Sequence, residues 1–422
     1  MTLAVVCMTA TATYAQEQTK KLDNFYTQIK DARNTFETLK DTVTTFERVH
    51  VGIGGAFALQ YQAITHENTA APVIVNNVNT TQLYDIGNNF NLATANFDLN
   101  VALYDGVNLH LRTFLSSRHH NETYVKGGFL QVDKLDFIEK DFLKDFMKYT
   151  TIKIGHNEIN YGDAHFRRSD NANALTNPFV GNLLMDAYAT MVFAEVYYQR
   201  DGFITMVGAT NGRLNQNANS GTSPSLYAKL GYDKQINPDL RVRFTGSIYN
   251  VAETLRTDFY DGDRAGSRYY YVMENTAATS SANFRSGQIL PGFTNKLTAV
   301  MINPFVKYKG LEFFGTYENT GGRTRLETNR RTFEQYAADL LYRFGKEENF
   351  YFGGRYNLVK GRTQAKESVD ITRFNIGGGW FMTRNILVKL EYVNQKYDGY
   401  ATTNILNGGK FNGFMAEAAI AF

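Results

Sequence analysis

Between residues 157 and 189 the sequence gathers groups suited to steering a charged solute. His165, Arg167 and Arg168 lie almost side by side, with Asp163, Asp170 and Asp186 around them. Cations on one wall with carboxylates opposite would set up a transverse field, as rings of charge do at a channel constriction. The competing reading is that these groups pair with each other and pin the segment. Further basic residues recur at alternating positions elsewhere: His110, Arg112, Lys153, Lys229, Arg241, Arg243, Arg343, Arg355, Arg373 and Lys389. Asp98, Glu195, Glu312, Glu318, Asp339, Glu391 and Glu417 stand against them. The slight excess of bases points to a mild anion preference, reduced wherever neighbouring strands neutralise each other.

Other chemistry is thinly represented. There is no G-x-S-x-G, no P-loop and no serine convincingly beside a histidine, so no enzyme and no cofactor are expected. His119, His120 and Glu122 sit together, but no further ligand has metal-site spacing and a solvated turn explains them better. His156 and Glu158, at i and i+2, share a face at a strand end. The net charge of +3 is too small to suggest a nucleic-acid partner. The one cysteine, Cys7, falls in a short apolar run, Leu3 to Thr13, followed by Thr13-Tyr14-Ala15. That reads as a signal peptide over 1–15, with Gln16 beginning the mature chain.

The elements that must position these charges have a period of two. In "NILVKLEYVN", Ile386, Val388, Leu390 and Tyr392 share one face while Lys389 and Glu391 share the other. "FYFGGRYNL", "LRVRFTGSI" and the terminal "FNGFMAEAAIAF" alternate in the same way. A charged inner face behind an aromatic and aliphatic outer face is the pattern of a strand between water and lipid. Such segments number about sixteen, with fourteen to eighteen as the range because "SRYYYVM" (267–273) is a further strand candidate. Asp105-Gly106, Asp201-Gly202, "KQINPD", Lys309-Gly310, "GKEEN" and "TRN" supply short turns at every second link. Long polar loops at 62–90, 157–189, 211–223, 251–297 and 397–410 fill the alternate links. Tyr61, Tyr198, Tyr232, Tyr342, Phe344, Trp380 and Tyr392 lie near strand ends on the outer face, where aromatic rings settle at the headgroup level.

Two segments break the pattern. From about 16 to 48, Leu22, Phe25, Ile29, Ala32, Phe36, Leu39, Val43 and Phe46 fall at alternating steps of three and four, the seam of a coiled-coil helix. Leu22, Phe25, Ile29, Phe36, Leu39, Val43 and Phe46 would then serve oligomerisation, as in a trimer. The alternative is one amphipathic helix against the barrel or within its lumen. Residues 134–149 also look helical, with Leu135, Ile138, Phe142 and Phe146 on one face, capping or plugging the short-turn side.

The layout over roughly 50–422 resembles the porin family that includes the phosphate- and polyphosphate-selective porins. The local resemblance lies in "TIKIGHNEINYGDAHFRRSDNANALTNPFVGN": Ile152, Ile154 and Gly155 match the strand end, and Arg167-Arg168 match the basic pair of an inward-folding loop. The family's dense ladder of lumenal arginines is not visible as a motif. Phe422 matches the terminal signal read by the barrel-assembly machinery.

The expected protein is therefore all-β: a transmembrane antiparallel barrel over 49–422, preceded by an N-terminal α-helix. It would lie in the outer membrane of a Gram-negative bacterium with its N-terminus in the periplasm. Its partners would be lipid, lipopolysaccharide, the assembly machinery and small polar or anionic solutes, in a homotrimer or larger envelope complex. The function expected is a diffusion channel, with a non-conducting scaffold barrel as the alternative. A fatty-acid channel would need a less charged interior.

Overall fold

The computed structural model describes residues 36–38, 40 and 46–422, apart from 116–122, 170–172, 189, 214–222, 261–267 and 280–284. At 92–94, 115 and 173 it describes the backbone alone.

Sixteen antiparallel strands close on themselves. In chain order they are β1 His50–Glu67, β2 Asn89–Tyr104, β3 Val107–Leu115, β4 Tyr124–Val132, β5 Thr150–Glu158, β6 Thr190–Arg200, β7 Phe203–Thr210 and β8 Ser225–Asn237. Then come β9 Leu240–Val251, β10 Lys296–Tyr308, β11 Leu311–Arg323, β12 Arg331–Phe344, β13 Phe350–Arg362, β14 Ser368–Thr383, β15 Ile386–Asp398 and β16 Lys410–Ala421. Each strand pairs with its sequence neighbours, and β1 pairs with both β2 and β16. Closure leaves no unpaired edge, the condition for a sheet in lipid. At the seam the Phe422 amide donates to Gly55 O at 2.9 Å and the Gly55 amide donates back to Phe422 O at 3.0 Å.

The expected short turns fall at one end of the barrel. Asp201 and Gly202 both take positive φ (54° and 91°), the backbone of a two-residue hairpin whose twist matches its strands. The long loops share the other end. Along the strands, Val388, Leu390, Phe352, Phe374 and Phe414 face outward and exposed, while Lys389, Glu391, Arg355, Arg373 and Glu417 face inward and buried. Phe344, Phe350 and Trp380 stack from strand to strand near the short-turn end, with centroids 5.7 and 5.8 Å apart.

Trp380 is the only tryptophan in the chain, and it is exposed on the outer wall. Its emission is expected to be quenched by lipids brominated high on the acyl chain more strongly than by lipids brominated near the methyl terminus. Equal insensitivity to both would contradict a lipid-facing wall.

Both irregular expectations need correction. "SRYYYVM" adds no strand: residues 268–273 form bends and turns within the barrel. Residues 134–149 hold one helical turn only, α1 Lys144–Met147. Asp141 and Leu143 adopt positive φ (61° and 52°), which an α-helix of L-residues does not tolerate, so the apolar spacing is broken into separate turns. Phe137, Ile138, Phe142, Leu143 and Phe146 stay exposed and do not plug the lumen.

The N-terminal seam ends differently too. Phe36, Glu37, Thr38 and Lys40 are not helical, nor are residues 46–49. Phe36 is buried in the lumen against Phe305, Phe314 and Phe166, and Phe46 lies 5.8 Å from Tyr104. Neither sits in a helical seam. Leu22, Phe25, Ile29, Leu39 and Val43 lie outside the described residues.

Candidate functional site in a filled lumen

Among the described residues, three pieces of chain occupy the interior: those of the 159–189 loop, those of the 252–295 loop, and a short strap of Phe36, Glu37, Thr38 and Lys40. Each is fixed to the charged inner wall that the alternating strands present.

The 159–189 loop enters after β5 and crosses to the wall of β11–β15. Arg167 pairs with Glu312 at 2.7 Å and lies 3.7 Å from Asp339. Arg355 pairs with Asp339 at 2.6 Å and donates to Gly181 O at 2.9 Å. Lys389 donates to three loop carbonyls, Ala174 O at 2.9 Å, Asn177 O at 3.1 Å and Phe179 O at 2.9 Å, and pairs with Glu417 at 2.6 Å. Glu391 accepts the Val180 and Gly181 amides at 2.8 and 3.3 Å. Arg168 turns the other way, to Asp186 at 2.7 Å and Glu158 at 3.3 Å. Its guanidinium lies over the Tyr188 ring at 4.6 Å.

The 252–295 loop packs on top. Arg268 reaches Glu417 at 2.6 Å, Tyr269 donates to Glu391 at 2.7 Å, and Tyr270 donates to Gln60 at 2.8 Å. Tyr260 from this loop and Tyr161 from the other both donate to Glu318, at 2.6 and 3.1 Å. Burial raises the Tyr161, Tyr260 and Tyr269 phenols well above their ordinary range, and the carboxylates beside them add to it. They therefore stay neutral donors. The two loops also meet at Gly181, where an added Cβ would lie 2.1 Å from Tyr269 Oη. The Gly181→Ala variant is expected to push Tyr269 off Glu391. The check is faster amide exchange at 268–273, with unchanged exchange on β15 and β16.

Near the short-turn end Asp163 and Glu37 share two cations. Lys229 lies 2.7 Å from each carboxylate, and Arg243 contacts Glu37 at 2.6 Å and Asp163 at 2.8 Å. Arg243 also meets Asp233 at 3.0 Å, which Arg241 holds at 2.7 Å. Lys40 donates to Asp133 at 3.0 Å. Burial alone would raise the Glu37 carboxyl, but Lys229 and Arg243 outweigh it and hold it at about 2. The same balance keeps Asp163 well below the carboxylate range. Burial pushes the His165 imidazole down to about 3, with Lys229 and Arg168 adding to the shift, so it is neutral.

The sign of the Glu37 effect follows from linkage. Its seated pKa of about 2 lies below the ordinary 4.5, so the seating it contributes is complete above pH 4.5 and fades as pH falls toward 2. Amide exchange at residues 36–40, corrected for intrinsic rate, is expected to rise across that window in the natural chain. In Glu37→Gln it should already be high and stay flat.

The inward groups read from sequence thus mostly meet partners. Arg112 pairs with Asp98 at 2.7 Å, and Lys153 lies over the Phe129 and Tyr197 rings at 5.3 and 5.0 Å. Asp170 and the His119-His120-Glu122 cluster lie outside the described residues. Among the described residues no three His, Cys, Asp or Glu side chains group as a metal site. Sequence reasoning missed Glu37, Tyr260, Arg268, Tyr269 and Tyr270. The signal was present in the 252–295 loop, where "SRYYYVM" puts an arginine and three consecutive tyrosines into a connection rich in turn residues.

A closed sixteen-stranded antiparallel barrel with a charged interior narrowed by inward loops is the porin fold. The structure is similar to an anion-selective porin from Comamonas acidovorans, with a TM-score of 0.56 at 9% identity over 89% of this chain and 100% of that one. It is similar to the outer membrane channel DcaP of Acinetobacter baumannii, with a TM-score of 0.54 at 10% identity over 89% and 98%. For OmpT, an outer membrane protein of Vibrio cholerae, the TM-score is 0.53 at 12% identity over 90% and 100%; a trimer form of that protein gives 0.50. At these identities the likeness is one of fold. No protein-family model matches the sequence, and no curated protein matches it.

Proposed function

We propose that this protein is an outer-membrane channel of porin type that passes small polar solutes with a mild preference for anions. One observation carries the reading. Where the 159–189 loop meets the wall, a cavity of about 10 Å³, room for a single water, is lined by Arg167, Arg168 and Arg355 with Asp186 as its one carboxylate. Glu312, Asp339 and Glu158 pair with these guanidiniums outside the lining, so the anion preference is mild and comes from the guanidiniums that edge the gap itself. So small a gap implies that passage needs the loops to move. The protein would sit among outer-membrane lipid and lipopolysaccharide, inserted by the assembly machinery through Phe422, with its N-terminus in the periplasm. A homotrimer fits, as in the trimer form of the OmpT fold relative. It performs no catalysis in this reading.

The filled lumen supports a second reading, a barrel that conducts nothing and serves as a scaffold in an envelope assembly. Planar-bilayer recordings under a KCl gradient separate the two. Discrete conductance with a reversal potential on the anion side is the expected result. Silence from a barrel shown to be folded would overturn the channel and leave the scaffold.

A further inference from the structure

Phe36 and Glu37 sit in the lumen as a bound solute would. The Phe36 ring meets Phe305 and Phe166 edge-on, with centroids 5.2 and 5.8 Å away. The Arg243 and Arg241 guanidiniums lie over it at 4.2 and 5.3 Å. The Glu37 carboxylate takes Lys229 at 2.7 Å, Arg243 at 2.6 Å and the Asn160 side-chain amide at 3.1 Å. Every one of these partners except Asn160 and Phe166 projects from a strand, so the slot belongs to the wall and not to the strap.

We propose that this slot, bounded by β8–β11 and the start of the 159–189 loop, is a binding site for an aryl carboxylate from solution, with Phe36 and Glu37 as its resident mimic. The proposal rests on the reading of the barrel as a solute channel and names a substrate class for it. The chemistry is two-part. A flat ring fills the apolar notch and faces guanidiniums, an arrangement in which the ring quadrupole attracts the cation. A carboxylate beside it answers Lys229 and Arg243. Withdrawing Glu37 takes one of two carboxylates from Lys229 and one of three from Arg243. Both cations are almost fully buried, and a buried charge that loses its partner is costly, so an incoming anion is drawn to the vacancy. Neighbouring Asp163 and Asp233 keep the site from taking a dianion as readily as a monoanion. The slot opens toward the short-turn mouth, where Arg241 is about a quarter exposed.

The test is calorimetric titration of the full, detergent-folded chain with 3-phenylpropanoate and with its neutral amide. The Phe36→Ala/Glu37→Ala variant vacates the slot without touching a strand, and heat-modified electrophoretic mobility checks that each barrel is folded. An intramolecular occupant lowers apparent affinity by the fraction of time it leaves the site free. The vacated chain should therefore bind the acid about tenfold or more tightly than the natural chain, and the amide should bind neither. Adding Lys229→Gln to the vacated chain should abolish binding. Equal affinity in natural and vacated chains, or binding of the amide as strong as that of the acid, would overturn the site. Conductance is read separately: a silent bilayer with acid binding intact defeats the channel and keeps the site, whereas conductance without acid binding defeats the site alone.

Discussion

Replacing Lys389 by Met should release the middle of the 159–189 loop from the barrel wall while leaving the strands in register. The ammonium is buried and makes four contacts, to Glu417 and to the carbonyls of Ala174, Asn177 and Phe179. Methionine fills nearly the same volume but donates nothing. Three carbonyls then lose a charge-assisted partner, each at about 1–3 kcal/mol if it stays dry. Glu417 keeps Arg268 at 2.6 Å and the Gln60 amide, which limits the damage on the wall. Breaking a buried pair from one side costs about 3–5 kcal/mol, and the cheaper response is for residues 174–179 to move away and hydrate. The expected signature is amide exchange that rises at least tenfold across 174–181 but not on β15 or β16. It should be accompanied by a several-fold larger single-channel conductance. Unchanged exchange in a folded Lys389→Met barrel would mean that Glu391, which holds the Val180 and Gly181 amides, and Arg355, which holds the Gly181 carbonyl, anchor this part of the loop without the lysine.

The strands were legible because one physical rule governs each of them. In β15 every second residue must tolerate lipid and every other one a polar interior, so the alternation of Val388 and Leu390 with Lys389 and Glu391 could be read without knowing the neighbours. The same rule set the turns, since Asp201-Gly202 supplies the positive φ a tight hairpin requires. It gave the direction in which Arg355, Arg373 and Glu417 point, but not what they meet. Their loop partners lie 86 to 191 residues distant: Gly181 O for Arg355, the Arg268 side chain for Glu417, and for Arg373 Gly287 O at 2.7 Å and Asn182 O at 2.6 Å. No periodicity encodes a contact of that kind. Spacing also misled where local strain decided the outcome. Leu135, Ile138, Phe142 and Phe146 keep helical intervals, yet the positive φ at Asp141 and Leu143 breaks the helix between them. Phe36 shows the converse. Its place in a heptad seam is real in the sequence, but the three phenylalanines it touches in the lumen compete for the same apolar face.

Asp163→Asn should loosen two elements at once, because Asp163 and Glu37 are held by the same cations. Asp163 is fully buried and accepts Arg243 twice at 2.8 Å, Lys229 at 2.7 Å and the Thr245 hydroxyl at 2.8 Å. Its own amide donates to Asn303 Oδ1 at 2.8 Å, and that bond survives the substitution. The asparagine amide group cannot accept through its nitrogen and would turn two N–H bonds toward a guanidinium or an ammonium, so one face of the site becomes repulsive. A loss of about 3–5 kcal/mol is expected for so dry a pair, read as a lower guanidinium midpoint for the folded barrel. Glu37 decides how the loss divides. The two carboxylates repel each other across the shared cations, as the opposition of Asp163 to Glu37 ionisation shows. Removing either one therefore relieves some repulsion, while removing both forfeits all of the attraction and recovers that relief only once. The Asp163→Asn/Glu37→Gln double variant should thus lose more than the sum of the two singles, by about 0.5–3 kcal/mol, the range for residues in one network. Additivity within about 0.3 kcal/mol, the margin expected of independent sites, would mean that the strap and the loop are seated separately and that Glu37 is an accessory to the cluster, not part of it.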